Sequence, residues 1–382
     1  MRIAVNVTRD FVAGITSTNL NLLNHLLRQD HEFVGIELTD RIYMKGPVLF
    51  RSFAPEIFDH HIINLHHLPI AKVMRQSKTL GEVQAKYKPI IAMIRAILRD
   101  TKPDCVLLNG TSFIPWLISI AAQRENIPVL LWYAGVLTKE VEQYPHAKRV
   151  IFTAMERSIV RRAANVIFPS GVAKKAVETM VMKKKLKSGF VIPNPVAATF
   201  MESSVAAPNS ERNIAAVGRY TGIKNFDRFF EIHKRLSEEG WTHRATFVTN
   251  PSQKLANAAP KDIDILPPMT AEELKQFFLT QGLIICPSRF ETFGNAPMEA
   301  VCLGIPVLVN KAMGCAEVLE RVGLSNMVID FSDIDAVTER VKHLAGQHIL
   351  PAQRNALYRE LDYRVIGERI EDILTATAAK RR

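Results

Sequence analysis

Glu291 and Glu299 stand eight positions apart in the run CPSRFETFGNAPMEAVCLGIPVLVN, residues 286–310. The apolar stretch 283–286 predicts a short strand running into Pro287-Ser288. A loop with Glu291 and Gly294 follows, and Pro297 predicts a helix with Glu299 in its first turn. Gly304-Ile305-Pro306 ends that helix before a second apolar strand at 307–309. Two carboxylates so placed can form an acid/base pair, clamp a ribose or cap a helix. Negative charge near a helix start is favoured by the helix dipole, which accounts for Glu299 but not for Glu291. The C-terminal end of a strand in an open α/β sheet is where such sheets bind ligands.

A second run, Val217-Gly218-Arg219-Tyr220-Thr221-Gly222-Ile223-Lys224-Asn225, lies between a strand ending at Val217 and a helix starting near Asn225. Gly218 and Gly222 permit sharp turns. Arg219 and Lys224 beside a helix N-terminus suit a diphosphate, or else form a solvated turn with two surface cations.

These runs need strands to hold them. Strands are predicted at 2–7, 33–38, 105–109, 128–133 and 165–169, then at 213–217, 244–249, 263–266, 283–286, 307–309 and 327–330. Helices are predicted at 16–29, about 82–100, 113–125, 151–163 and 171–182, then at 225–239, 271–279, 295–303, 333–345 and 352–378. This alternation predicts an α/β chain of doubly wound parallel sheets with helices on both faces, built twice. The 382 residues suffice for two cores. Pro193-Asn194-Pro195 and the small-residue stretch 197–209 mark the join. The predicted domains are 1–195 and 196–361, with a terminal helix at about 362–382 packing back onto the first.

The net charge of +11 is divided unevenly. Residues 1–195 hold 27 Lys/Arg against 15 Asp/Glu, and residues 196–382 hold 22 against 23. An anionic partner for the first half alone is the expectation. Its basic stretch, 66–100, interleaves Lys72, Arg75, Lys78, Lys86, Lys88, Arg95 and Arg99 with apolar residues. Such a pattern either lies on an anionic membrane or packs its apolar side inward. The four scattered cysteines contain no C-x-x-C pair, which fits a reduced, cytoplasmic setting. The N-terminus starts a strand directly and does not read as a signal peptide. Residues 105–123 are uncharged, but Asn109-Gly110-Thr111-Ser112 and Pro115 make them strand–loop–helix rather than a membrane span. No G-x-G-x-x-G or Walker loop follows a strand, which disfavours a dehydrogenase or P-loop ATPase. Asp262-Ile-Asp264 and Asp333-Ile-Asp335 are explained by a strand edge and a helix cap, so no metal is assigned. No RNA- or DNA-binding motif accompanies the basic half, which argues against nucleic acid.

Taken together, the two runs resemble the nucleotide-sugar half of a retaining glycosyltransferase of family 4, with the GT-B fold. Further pieces match in order: Asn165–Ser170, the hinge Val191–Val196, Gly314-Cys315-Ala316-Glu317 and Asp362–Ile366. The similarity is strong over about 165–380 and weak over 1–164. The resemblance implies that Arg219 and Lys224 hold the donor diphosphate, while Glu299 accepts the ribose hydroxyls and Glu291 the sugar hydroxyls. It further implies that Gly218 and the amides of Phe293, Gly294 and Asn295 grip phosphate and sugar. The backbone near Leu266-Pro267 would read the base. No cofactor or metal is implied, since the nucleotide-sugar (UDP- or GDP-linked) is the substrate. The site would lie in the cleft between domains.

Departures from the pattern concern the first half. Ala134 stands where the family has a His before Gly135. One glycine, Gly14, with Thr16, remains of a loop that often has two, so Gly14, Thr16 and Gly135 are the acceptor-side candidates. Thr249-Asn250-Pro251 replaces a Gly-x-Gly turn. His146 reads as a surface histidine. The expected function is sugar transfer to a hydroxyl acceptor, anionic or lipid-linked, as in cell-surface polysaccharide or glycolipid synthesis. The protein would be cytoplasmic and peripheral to the inner face of a membrane. The alternatives are an inactive nucleotide-sugar-binding subunit, suggested by Ala134, and a same-fold epimerase or phosphorylase.

Overall fold

Parallel strands buried on both faces must be apolar throughout, and the chain supplies such runs twice. In the computed structural model, described for residues 1–7, 22–23, 25–26, 29–39, 58–201 and 212–380, they form two sheets. The first contains β1 (Arg2–Asn6), β2 (Glu32–Thr39), β3 (Phe58–Asn64), β4 (Cys105–Asn109), β5 (Val129–Trp132), β6 (Asn165–Phe168) and β7 (Gly189–Val191). Its order is β3-β2-β1-β4-β5-β6-β7. The second contains β8 (Ile214–Val217), β9 (Ala245–Val248), β10 (Ile263–Leu266), β11 (Leu283–Cys286), β12 (Val307–Asn310) and β13 (Val328–Ile329). Its order is β10-β9-β8-β11-β12-β13. Each pairing is parallel. These are the two Rossmann-like halves of a GT-B fold.

The chain divides into two compact units. One comprises Met1–Pro169, Ala173–Ile192 and Gly367–Arg382; the other comprises Ser170–Val172 and Pro193–Ile366. The terminal helix Tyr363–Ala378 thus changes unit at Gly367. Within the first unit its far end is held by Asn165, whose Nδ2 donates to Thr377 Oγ1 at 2.8 Å. His31 Nε2 lies 3.1 Å from Glu371 Oε1 on the same helix.

The first core centres on Trp116, Trp132 and Tyr133, all fully buried. The second packs Phe226, Phe229 and Phe230 around Phe247, with the Phe226 and Phe247 centroids 4.5 Å apart. All four cysteines are buried and free. Among the described residues no helix is long and apolar enough to cross a membrane. The uncharged stretch 105–123 divides into β4 and the helix Phe113–Arg124.

Local breaks differ from the predicted spans. The helix predicted at about 82–100 is two, Leu80–Lys86 and Lys88–Thr101, broken at Tyr87, with Pro89 in the first turn of the second. Proline has no N–H to donate into a preceding turn, so it suits a helix start and not a helix interior. The span 352–378 breaks at Asp362, between Pro351–Leu361 and Tyr363–Ala378. Residues 171–182 begin as α-helix and finish as a π-turn, Val177–Met182. Strand β3 was not predicted, because Asp59, His60 and His61 hide its alternation at a sheet edge. The hinge strand expected from Val191 instead ends at Val191, and Val196 makes only an isolated bridge to Asp362. Of the helix predicted at 16–29, the described residues 22–23 and 25–26 are helical.

The basic stretch 66–100 turns its apolar residues inward. Val73, Met74, Ile90, Ile91, Ile94 and Leu98 are buried, while Lys72, Arg75, Lys78, Lys88 and Arg99 are exposed. Its amphipathic pattern is therefore that of helices packed on their own sheet.

Candidate functional site

Strand order in the second sheet reverses between β8 and β11: β9 and β10 extend to one side, β12 and β13 to the other. The connections that follow β8 and β11 therefore turn to opposite sides, and the C-terminal ends of two such strands are where open α/β sheets bind ligands. The loops at those ends are the two runs singled out by their chemistry. Gly218 takes φ +146°, a region that favours glycine, and a Cβ there would meet the Phe226 ring at 3.2 Å. Asn225 takes φ +57°, and its buried side chain donates from Nδ2 to the Pro287 carbonyl at 3.2 Å. The Arg289 N–H donates to the Ile223 carbonyl at 2.9 Å. These two bonds hold the loops together.

Their junction brings Lys224 Nζ to 2.6 Å from Glu291 Oε1, with side-chain exposures of 25% and 18%. Ser288 Oγ donates to the same carboxylate oxygen at 2.8 Å. Arg219, on the same loop as Lys224, is exposed, and its guanidinium has no hydrogen bond or ion pair among the described residues. The structure thus gathers one paired and one unpaired cation with a carboxylate at the switch point.

The segment after Glu291 is held by a neighbouring loop. The Gly314 N–H donates to the Glu291 carbonyl at 3.0 Å, and the Cys315 N–H to the Phe293 carbonyl at 2.8 Å. Gly314 is packed so closely that a Cβ would lie 2.2 Å from the Thr292 carbonyl oxygen and 2.4 Å from Ser170 Oγ. Gly294, at φ +113°, is the N-cap of the helix Asn295–Cys302 and has no side-chain cap. A helix N-terminus favours negative charge. Asn194 Nδ2 donates to Asn295 Oδ1 at 3.0 Å, steadying the first residue of the helix.

This helix starts at Asn295, two residues before Pro297, so Glu299 stands in its second turn and not its first. The dipole account of Glu299 falls with that shift. Its half-buried carboxyl accepts no hydrogen bond from a described residue, and burial pushes its pKa up to about 7. Leu266 is not part of this cluster. It ends the edge strand β10, two strands or about 10 Å from β8, and its carbonyl accepts the Thr249 N–H at 2.9 Å. Gly135 lies in the first unit, where a Cβ would meet Glu140 Oε1 at 2.4 Å. Gly14 and Thr16 lie outside the described residues. Asp333 caps the helix Ile334–Leu344, and Asp264 pairs with Arg244 at 3.2 Å. Among the described residues no group of three or more His, Cys, Asp or Glu is arranged to hold a metal.

The residue that sequence reasoning missed is Glu156, fully buried on the helix His146–Arg162. Tyr133 OH donates to its Oε1 at 2.5 Å and the Leu137 N–H at 2.8 Å. The Thr138 N–H and Oγ1 donate to Oε2 at 2.8 and 2.5 Å. Thr111 Oγ1 lies 3.4 Å from Oε1 and 3.2 Å from the Gly135 carbonyl. One carboxylate thus ties the loop after β5, around Ala134, to the loop after β4. Burial pushes its pKa up, while these hydrogen bonds pull it back. A lone Glu in the helical run MERSIV offers no sequence signal of this; its partners lie 18 to 45 positions away.

Two consequences are measurable. A carboxyl raised to about 7 keeps its proton in the folded state between its ordinary value and pH 7, whereas the unfolded chain has released it. Stability is therefore lost as pH rises through that window. Glu299→Gln removes the loss, so the variant should melt above the parent at pH 8, by about 1–3 kcal/mol, and level with it at pH 4.5. Thermal melts at the two pH values check this; an equal gap at both refutes it. Glu156→Gln sets an amide NH₂ among donors and should cost the first unit about 2–3 kcal/mol. Hydrogen exchange at the Leu137 and Thr138 amides should speed up; unchanged exchange there would refute the anchoring role.

Residues 211–347 match the family model described as Glycosyl transferases group 1. An uncharacterized 41.2 kDa protein in the cps region of Klebsiella pneumoniae is 25% identical over 203 residues, covering 50% of this chain and 55% of that one. An uncharacterized 42.6 kDa protein in the cps region of the same species is 20% identical over 338 residues, 85% of this chain and 84% of that one. The match thus spans little more than half the length of the first relative and most of the second. A solved sucrose-phosphate synthase from Thermosynechococcus elongatus superposes with a TM-score of 0.74 at 13% identity over 99% of both chains, a likeness of fold. Residues 211–347, which include both site loops, are therefore similar to the group 1 glycosyl transferases, and the chain has the GT-B fold.

Proposed function

We propose that this chain is a retaining glycosyltransferase of the family 4 type, moving a sugar from a nucleotide-diphosphate donor to a hydroxyl acceptor. The observation that carries the reading is the Lys224–Glu291–Ser288 cluster, with Arg219 beside it, at the switch point of a glycosyltransferase domain. Arg219 and Lys224 bind the diphosphate, with Gly218 letting the backbone approach. The amides of Phe293, Gly294 and Asn295 hold phosphate and sugar at a helix N-terminus. Glu291 accepts sugar hydroxyls and Glu299 the ribose hydroxyls; the backbone at Leu266 faces the base. As the glycosidic bond breaks, charge builds on the leaving diphosphate, and cations fixed beforehand stabilise it where it develops. The leaving phosphate takes the acceptor's proton, so neither a dedicated base nor a metal is required.

The acceptor is anionic or lipid-linked. The excess positive charge of residues 1–195 supports this, as do the relatives' names, which place them in a cps region. With the apolar side of 66–100 buried, any attachment to an inner membrane face is electrostatic, through exposed lysines and arginines. Ala134 favours one second reading, a nucleotide-sugar-binding subunit without activity.

Thermal-shift measurements with UDP, GDP, ADP and their sugars should show stabilisation by one nucleotide family, about 2.7 kcal/mol at a hundredfold excess over Kd. Arg219→Ala and Lys224→Ala should each lower turnover by about 100-fold or more, Arg219→Ala with unchanged melting and Lys224→Ala with a lower melting temperature because Glu291 loses its cation. Wild-type turnover in either variant removes the assignment, and donor binding without turnover would favour the inactive subunit. Liposome flotation should recover the protein with anionic vesicles; equal recovery with neutral ones sinks the membrane contact.

A further inference from the structure

The Lys224–Glu291 pair sets up a competition that the proposed reading, on which this inference rests, does not include. Lys224 is already bonded to Glu291 at 2.6 Å, and both side chains are largely buried. A diphosphate that takes the ammonium must draw it from that carboxylate or share it. Ser288, at 2.8 Å, is then the one side-chain donor left to Glu291 among the described residues. A carboxylate stripped of its cation, partly out of water and beside two phosphates, is unfavourable.

The penalty differs between substrate and product. A nucleotide-sugar brings hydroxyl groups that donate to Glu291 in place of Lys224. The free nucleoside diphosphate left after transfer brings a more highly charged terminal phosphate and no sugar hydroxyls to Glu291. Arg219, exposed and without a hydrogen bond or ion pair among the described residues, can meet the diphosphate of either ligand.

We propose that Glu291, besides contacting the sugar, makes the site discriminate nucleotide-sugar from nucleoside diphosphate. By reclaiming Lys224 once the sugar has left, it ejects the product. The pair is thus a specificity device that limits product inhibition.

Calorimetry on the full chain tests this with matched pairs: UDP and UDP-glucose, GDP and GDP-mannose, ADP and ADP-glucose. Glu291→Gln keeps the size of the side chain and its acceptor oxygen but abolishes the charge. It should bind free diphosphate about 3- to 10-fold tighter, with no such gain for the nucleotide-sugar, so that the preference for substrate over product collapses. Glu299→Gln, a carboxylate assigned to the ribose common to both ligands, should weaken both alike and leave that preference intact. Ser288→Ala, which removes the donor that stays with Glu291, should weaken diphosphate more than nucleotide-sugar. It provides the test if Glu291→Gln does not fold. An unchanged preference in Glu291→Gln, or weaker diphosphate binding, overturns the inference. Absence of binding of every pair by the parent, or undiminished binding in Lys224→Ala, instead overturns the reading of the site itself.

Discussion

The reversal of strand order between β8 and β11 is the constraint on which the second unit's chemistry depends. Parallel strands send their loops out at one end, and where neighbouring connections turn opposite ways no helix closes the gap. Lys224, Ser288 and Glu291 meet there because β8 and β11 are adjacent in space, although β9, β10 and their helices lie between them in sequence. The loops are kept in register by hydrogen bonds to the backbone: the Asn225–Pro287 and Arg289–Ile223 bonds, and the pairing of 291–293 with 313–315. A charged pair placed on such a frame has little freedom to relax, so its chemistry is set by what binds there.

Two carboxylates with raised pKa values illustrate opposite uses of burial. Glu156 is surrounded by donors and acts as a structural knot for the loops after β4 and β5. Glu299 has no donor among the described residues and carries a desolvation penalty. A buried polar group without a partner is costly, and the arrangement makes sense where a ligand supplies the missing donors. Glu291 is intermediate, held by one cation and one hydroxyl that a ligand can displace.

The fold was legible because its signal is local. Apolar runs such as 105–109 and 283–286 are buried along their whole length and appear as strands at those positions. Elements with mixed polarity were not legible. The edge strand β3 carries His60 and His61, and the helix breaks at Tyr87 and Asp362 depend on backbone detail. The position of Glu299 was misjudged because Pro297 resembles the opening residue of a helix, whereas Gly294 caps this one and Asn295 opens it.

By itself, the sequence determined the twofold α/β alternation, the charge imbalance and the two loops that carry the site residues. Each of these is written in neighbouring residues, through hydrophobic period, glycine placement and residue type. Only the tertiary structure decided that Lys224 is already bonded to Glu291, that Leu266 stands apart at the sheet edge, and that Glu156 knots two loops. Those facts depend on which strands become neighbours, and strand adjacency follows from packing of the whole unit, which no local window of residues records.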